Sequence, residues 1–557
     1  MGLIIYKWRK LLYNVKKGGW DLTSVIYNPL EEYEKKLKET HSNATNAFFE
    51  NLVKQSNINI EENRKTVEQY NTYKENLVKL KKKLNLWRVL RVLMCISIVL
   101  IPVVILKTTP KIQGLREEIE LADQKAEELL AQAYDQMLPL NSLFTDRDAL
   151  NLIHETVPLI SFDSCFSVEK EADMKINYDF STHNEDEEST IDVLSGEYNE
   201  NPFLFENKII HTMGTETYHG YKTISWTETY RDSSGKRRTR TRTQTLHASV
   251  VKPKPYYNTQ VVLNYGSQGG PELSFSRDAS HLEQKSDKAI ERHIKRGEKK
   301  LKRMTDKAIK NNDDFTSMSN SDFEVLFDAL DRTDEVQFRA LFTPLAQTNM
   351  VDLILSKTGY GDDFNFFKQK RMNRIISNHS QGRAMNLLPN AYTSYSFDFI
   401  KDNFINKNIE FFRAVYFDFA PLLAIPAYQE RPVHSLKPIP DYKQLYSLKE
   451  SEALANAVDA QYVVHPNTKT HAILKSSFVN SKDDVDETCI TAYSYDIEQR
   501  VDVVSVRGGD GKYHNVSVPW DEYLPLEEHN NFYIGKYEDK QGSNVFATRN
   551  GLCIYKG

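Results

Sequence analysis

The sequence predicts an α+β protein with a helical N-terminal region, one transmembrane helix, a heptad stalk and a large mixed α+β domain. Three observations carry this reading. An uncharged run of fifteen residues extends from Val92 to Leu106. On either side of it, apolar residues recur at alternating steps of three and four, the spacing of a helix face. Beyond about residue 140, strand-like and helical stretches come in separate runs, which favours α+β over a doubly wound sheet. A chain of 557 residues exceeds one compact core, so about three or four structural units are expected.

Residues 1–28 read as a basic amphipathic segment. Up to Trp20, Leu3, Ile4, Ile5, Trp8, Leu11 and Leu12 mix with Lys7, Arg9, Lys10, Lys16 and Lys17, without an acid. Such a segment suits an anionic inner leaflet, or an ordinary packed helix with a solvated basic side. Residues 29–86 read as a helical hairpin or coiled coil, with a break at the Ser56–Asn63 stretch "SNINIEEN". Tyr73, Leu77, Leu80, Leu84 and Trp87 then follow a 4-3-4-3 spacing.

Residues 87–106 are expected to cross a membrane. The uncharged run alone gives a helix of ~22 Å, and extending it back to Trp87 gives about 30 Å, the thickness of the hydrocarbon core. Trp87 would lie at the interface, with Arg88 and Arg91 reaching for the headgroups. Seven Lys and Arg precede the segment and four follow it over a similar distance. The positive-inside rule therefore places the N-terminus in the cytoplasm and residues 107–557 outside. In the stalk, 107–138, a seam of Ile112, Leu115, Ile119, Ala122, Ala126, Leu129 and Ala133 spans about three heptads. It suits a homo-oligomer through 112–133, or packing against the chain's own helices. Pro139 is expected to end this helix.

The α+β domain is assigned to 139–430, and a C-terminal α+β subdomain to 431–557, divided at the proline-rich "RPVHSLKPIPDYK". "VDVVSVRGGDGKYHNVSV" reads as a hairpin around a Gly-Gly-Asp-Gly turn. The helix near 281–310 carries Lys295, Arg296, Lys299, Lys300, Lys302 and Arg303 beside apolar positions at helical spacing. It reads as an amphipathic helix with a basic face, either solvated or set against an anionic surface.

"FEVLF", with Phe323, Glu324 and Phe327, precedes "DEVQFRALFTPLAQTNMVDLI", in which Glu335, Arg339, Leu341, Thr343, Pro344 and Met350 recur. This segment resembles the bacterial membrane proteins grouped as domain of unknown function 3137, as does the polar stretch "GKRRTRTRTQTL". The resemblance spans roughly 140 residues. It implies a bacterial membrane protein and brings no activity with it. The single membrane segment departs from that family, which usually has two.

Enzyme signatures are absent. His154-Glu155 has no second His in register, Ser267 in "YGSQGG" lacks the G-x-S-x-G pattern, and "VRGGDGK" fails phosphate-loop spacing. His465 and His471 flank "PNTKT" without metal-site spacing. No cofactor or metal is expected, and catalytic residues cannot be named. Of Cys95, Cys165, Cys489 and Cys553, none forms C-x-x-C. Unpaired thiols are expected, with Cys489–Cys553 as the alternative.

The candidate contact is the alternation Arg238, Arg240, Arg242. A hairpin with the four-residue loop Asp232–Gly235 would set these opposite Thr229, Thr227 and Ser225, on a polar, protruding ribbon. Arginine there either protects a strand edge or contacts an anionic envelope polymer, lipid headgroup or acidic protein. Nucleic acid is disfavoured if this domain lies outside the cell. The expected role is an envelope-associated binding or scaffold module; the alternative is a membrane-anchored enzyme with dispersed catalytic residues.

Overall fold

A computed structural model of the chain describes residues 26–95, 101–181, 185–231, 233–311, 317–432, 437–537 and 545–556. The chain folds into two compact units. The first includes 31–158 and 386–416, and the second includes Ser24–Leu30, 159–385 and 417–557.

The first unit is helical. Helix α1 (Pro29–Glu32) runs through a π-helical turn, Tyr33–Leu37, into α2 (Lys38–Ser56). Asn57 ends α2 in the left-handed region, at φ 50°, so the chain breaks at the start of the expected Ser56–Asn63 stretch. Helices α3 (Ile60–Cys95), α4 (Ile101–Asn141) and α5 (Asp148–Thr156) follow. The α3 and α4 helices run antiparallel and pack along each other, as three contacts fix. Asn63 Nδ2 donates to the Ala133 carbonyl at 3.4 Å, Lys81 Nζ lies 3.6 Å from Asp123 Oδ1, and Lys111 Nζ stands 5.4 Å from the Trp87 ring centroid. Leu77, Leu80 and Leu84 are buried on α3, as are Ile112, Ala126, Leu129 and Ala133 on α4. The heptad seam is therefore real, and it faces the chain's own α3. Below it, Phe49, Leu52, Met137, Leu140, Phe144, Leu152, Tyr392 and Phe404 form the core of this unit. Pro139 does not end α4, which continues to Asn141 and buries Leu140.

These contacts overturn the transmembrane reading of 87–106. Among the described residues no helix is long and apolar enough to cross a membrane. A spanning helix would hold Trp87 and Lys111 about 36 Å apart at 1.5 Å per residue, whereas here the two side chains are neighbours. Trp87, Arg88 and Arg91 accordingly sit on one arm of a helical pair and flank no membrane-spanning helix among the described residues. The single-pass localisation falls too, with its cytoplasmic N-terminus and extracytoplasmic large domain, because the cation count compared two sides that lie together. Residues 96–100 and the side chains of 92–107 lie outside the described residues, as does the 1–28 segment up to residue 25.

The second unit is α+β and contains two antiparallel sheets. In chain order it begins with β1 (Ile160–Phe162), α6 (Val168–Tyr178), β2 (Glu188–Tyr198), β3 (Asn201–Arg231), β4 (Arg237–Gly266) and β5 (Ser274–Arg277). Next come α7 (Asp287–Asn311), α8 (Ser321–Phe327), α9 (Glu335–Leu341), α10 (Pro344–Leu355), β6 (Phe364–Gln369) and β7 (Met372–Ser377). Helix α11 (Phe397–Leu423) passes from the first unit into the second. The chain then adds α12 (Leu448–Asn456), β8 (Ile473–Lys482), β9 (Val485–Arg507), β10 (Tyr513–Lys536), β11 (Val545–Arg549) and β12 (Leu552–Tyr555). The seven-stranded sheet has the order β1-β2-β3-β4-β7-β6-β5, and the five-stranded sheet β11-β12-β10-β9-β8. The described cysteines Cys165, Cys489 and Cys553 are not joined to one another by disulfides.

The residues behind the family resemblance build core in this unit. Phe323, Phe327, Phe338 and Phe342 cluster around Phe275, with ring centroids 4.6–6.5 Å apart. Thr343 caps α10 through its side chain and Pro344 opens the first turn, where a missing N–H costs nothing. Met350 is fully buried.

Candidate binding surface on a two-layer ribbon arm

Both sheets are prolonged by two-stranded ribbons. Strand β3 pairs with β2 only over Asn201–Ile210, and β4 pairs with β7 only over Leu263–Gly266. The β3–β4 pairing continues to Arg231↔Arg237. From His211 onward this ribbon extends about 65 Å at roughly 3.3 Å per residue. The β9–β10 pairing likewise runs on to Arg507↔Tyr513, past the last β8 partner at Tyr493. The expected hairpin at Val501–Val518 is the end of this second ribbon.

The two ribbons stack face to face. Side chains alternate across a strand, so even-numbered positions of both ribbons point inward. Ile224, Leu246 and Ala248 are buried against Val516 and Val518, flanked by Tyr218, Trp226, Val250, Val504 and Val506. At Gly220 the backbones approach so closely that a Cβ would stand 2.2 Å from the Ser517 carbonyl oxygen. Lys252 Nζ lies 4.0 Å from the Trp520 ring centroid and 2.7 Å from Asp502, whose other oxygen accepts the Trp520 indole N–H at 2.9 Å. The hydrogen bonds from Lys252 and Trp520 hold the Asp502 carboxyl below its ordinary range. At the end of the shorter ribbon, Gly509 N donates to Gln244 Oε1 at 2.7 Å, beside Trp226.

The arginines lie on the same inward face, beyond that last contact. The loop has five residues rather than four, so Arg238, Arg240 and Arg242 pair with Tyr230, Glu228 and Trp226. The expected threonine partners instead form the outer face, where Thr223, Thr227 and Thr229 stand opposite Thr245, Thr241 and Thr239. A one-residue shift in pairing exchanges the neighbours of every side chain, and packing of Ile224 and the partly buried Trp226 against the second ribbon selects this register. Arg242 Nε and Arg240 Nη2 both bond one Glu228 oxygen, at 2.6 and 2.9 Å. The Arg240 guanidinium also stands 5.1 Å from the Tyr230 centroid. The hydrogen bond from Arg240, with Arg242 beside it, lowers the Glu228 pKa. Even so, 228–242 contains six cations against two acids, a net of +4, while the whole chain is −5. The Arg240 and Arg242 side chains remain 48% and 47% exposed.

The titratable clusters described elsewhere are ion networks, most of which join residues far apart in the chain and so left no mark in the sequence. Arg277 pairs with Asp362 in the interior. The adjacent Asp363 bonds His379 Nδ1 at 2.6 Å, and Asp418 takes Ser380 Oγ at 2.7 Å and Arg383 at 2.7 Å. Ser380 Oγ donates to both Asp418 oxygens, at 2.7 and 2.8 Å. Arg332 joins Glu324 at 2.6 Å and Glu335 at 2.8 Å, and Arg549 joins Glu450 to Asp192. A polar cavity of about 110 Å³ beside α12 has its glutamates tied to lysines, Glu206 to Lys449 at 2.5 Å and Glu452 to Lys475 at 2.9 Å.

Residues singled out in the sequence fall elsewhere. His154 and Glu155 are exposed on α5. Ser267 is buried and accepts the Gly269 N–H. His465 accepts the Asn467 N–H in a local turn, and His471 stands against Tyr257. No group of three or more His, Cys, Asp or Glu among the described residues is placed to hold a metal. Comparison with protein-family models, curated proteins and solved structures finds no match.

Proposed function

We propose that the protein is a binding or scaffold module that engages an anionic partner through the distal end of its β3–β4 ribbon. The observation behind this reading is the uncovered cationic face that begins where the second ribbon stops. Strand pairing holds the backbone of Arg238, Arg240 and Arg242 at fixed spacing, so little backbone order is left to impose on binding. Glu228 bonds two of them through one oxygen and neutralises only one charge. The resemblance to the domain-of-unknown-function family is retained as a proposal about ancestry and assigns no partner.

The test is to change Arg238, Arg240 and Arg242 to Gln and to measure binding to phosphatidylglycerol vesicles and to polyglutamate across a salt series. Affinity is expected to fall by roughly 1 kcal/mol per charge for the surface and to lose its steep salt dependence. Stability should change little, because these side chains are exposed. Aggregation of the variant with unchanged binding would show that the arginines protect a strand edge instead.

A further inference from the structure

We infer that the solvent face of α7 is a second contact site, built to hold a linear chain of phosphates through backbone charge alone. The helix carries ten Lys and Arg against four acids over Asp287–Asn311, a net of +6. One stripe packs inward. Ile290, Leu301 and Ala308 are buried, and a Cβ on Gly297 would lie 2.3 Å from Val325 of α8, so the two helices touch there. The neighbouring stripe, Arg296, Lys299, Lys300, Arg303, Met304 and Lys307, lines an open groove of about 450 Å³. A second groove of about 210 Å³ adjoins it and shares Arg296 and Lys300.

Three physical points select the ligand. Cations three and four residues apart on a helix repel one another. In this stripe only Lys300 has an ion-pair partner among the described residues, Asp328 at 3.8 Å, so folding leaves the repulsion uncompensated. Arg296, Lys300, Arg303 and Lys307 climb the helix in steps of about 4.5–6 Å, which suits a polymer with regularly repeated charge. Arginine forks among lysines suit phosphate oxygens. Ile290, Leu301 and Ala308 are buried and Ile309 is the large apolar side chain that α7 exposes, so the helix has no continuous apolar face to sink into a bilayer. The stripe contains no aromatic residue to stack a base, so contact is with the phosphates alone. An extracytoplasmic position, which would disfavour nucleic acid, has no support from a membrane-spanning helix among the described residues.

The experiment uses the full chain with Arg238, Arg240 and Arg242 already changed to Gln, which removes the arm's contribution. Into it Arg296, Lys299, Arg303 and Lys307 are changed to Gln. Binding is measured to inorganic polyphosphate, to a single-stranded oligonucleotide and to phosphatidylglycerol vesicles, between 50 and 200 mM salt. Four lost phosphate contacts should flatten the log–log salt slope for the oligonucleotide by about 3. Across that salt range the parent then loses roughly 50-fold more affinity than the variant. Binding of both chains supports the proposal in general form, and binding of polyphosphate alone narrows it to inorganic chains. Unchanged slopes, or binding to vesicles alone, would overturn it. Thermal melting with an unshifted midpoint checks that the variant is folded. A Lys300→Gln variant, which also loses the Asp328 pair, should flatten the slope by only about a quarter as much as the fourfold change.

Discussion

Replacing Asp362 by Ala is expected to destabilise the sheet-bearing unit by about 3–5 kcal/mol, the cost of stranding a buried charge. Arg277 and Asp362 are both buried, with side-chain exposures of 1% and 0%. The Arg277 guanidinium also donates to the Phe364 carbonyl and lies 4.2 Å from the Phe364 ring centroid. Asp362 in turn gathers the Ser280 N–H at 3.0 Å and the Ser280 hydroxyl, so it closes the chain after β5 onto the start of β6. Burial pulls the Arg277 pKa down and Asp362 pulls it back. Removing the carboxylate leaves the guanidinium with the Phe364 carbonyl and aromatic rings against it, and with Asp363 and Asp278 acting on it only through charge. Converting the pair together, Arg277→Met with Asp362→Leu, should recover most of the loss. Denaturant unfolding of the three variants checks this. A single variant within about 1 kcal/mol of wild type would mean that water reaches the pair.

The second large effect is a pH dependence from Lys368. This lysine is 2% exposed, and its ammonium donates to the Gly269 carbonyl at 2.8 Å and to the Lys370 carbonyl. Burial, assisted by Arg371 and opposed by Asp179, lowers its pKa to about 7. An unfolded lysine titrates near 10.4. Between about 7 and 10.4 the unfolded chain therefore binds more protons than the folded one, and stability rises with pH. The penalty is present in full below pH 7 and vanishes above the unfolded value. Lys368→Met removes this linkage. The stability of wild type relative to Lys368→Met should then grow by roughly 4 kcal/mol from pH 7 to pH 10, at about 1.4 kcal/mol per unit. A difference that stays constant with pH would show that Lys368 keeps its charge in the folded chain.

Much of the local structure was legible in the sequence. The 3-4 spacing of Ile112 to Ala133 marked the buried side of α4, because helix periodicity reports which face is covered. It could not say by what, and the cover is α3 of the same chain. The uncharged run at 92–106 misled for a related reason. Hydropathy counts apolar residues along the chain, and Trp87 beside Lys111 is a fact of pairing between distant segments. The β3–β4 hairpin was visible from its alternation, but its register turned on one loop residue, and only the docking of Trp226 and Ile224 on the second ribbon decides that. The buried ion networks join residues as far apart as Asp192 and Arg549, a distance at which no spacing rule operates. The basic stripe of α7 was legible as composition, and the smaller groove beside it only from the packing of Gly297 on Val325.

The central claim is that the uncovered end of the longer ribbon is what binds. The most direct measurement shortens that ribbon, replacing Ser225–Thr243 with Asn-Gly so that Ile224 and Gln244 are joined by a tight turn. The register partners Ile224 and Gln244 are already side by side, and Leu246, Ala248, Val516 and Val518 keep most of their packing. The chain used has Arg296, Lys299, Arg303 and Lys307 changed to Gln, so that α7 cannot substitute for the arm. Vesicle and polyglutamate binding are then measured at low and high salt beside the full-length ribbon. The account predicts a folded protein whose salt-dependent binding is lost. A shortened chain that binds with the same affinity and the same salt dependence would contradict it.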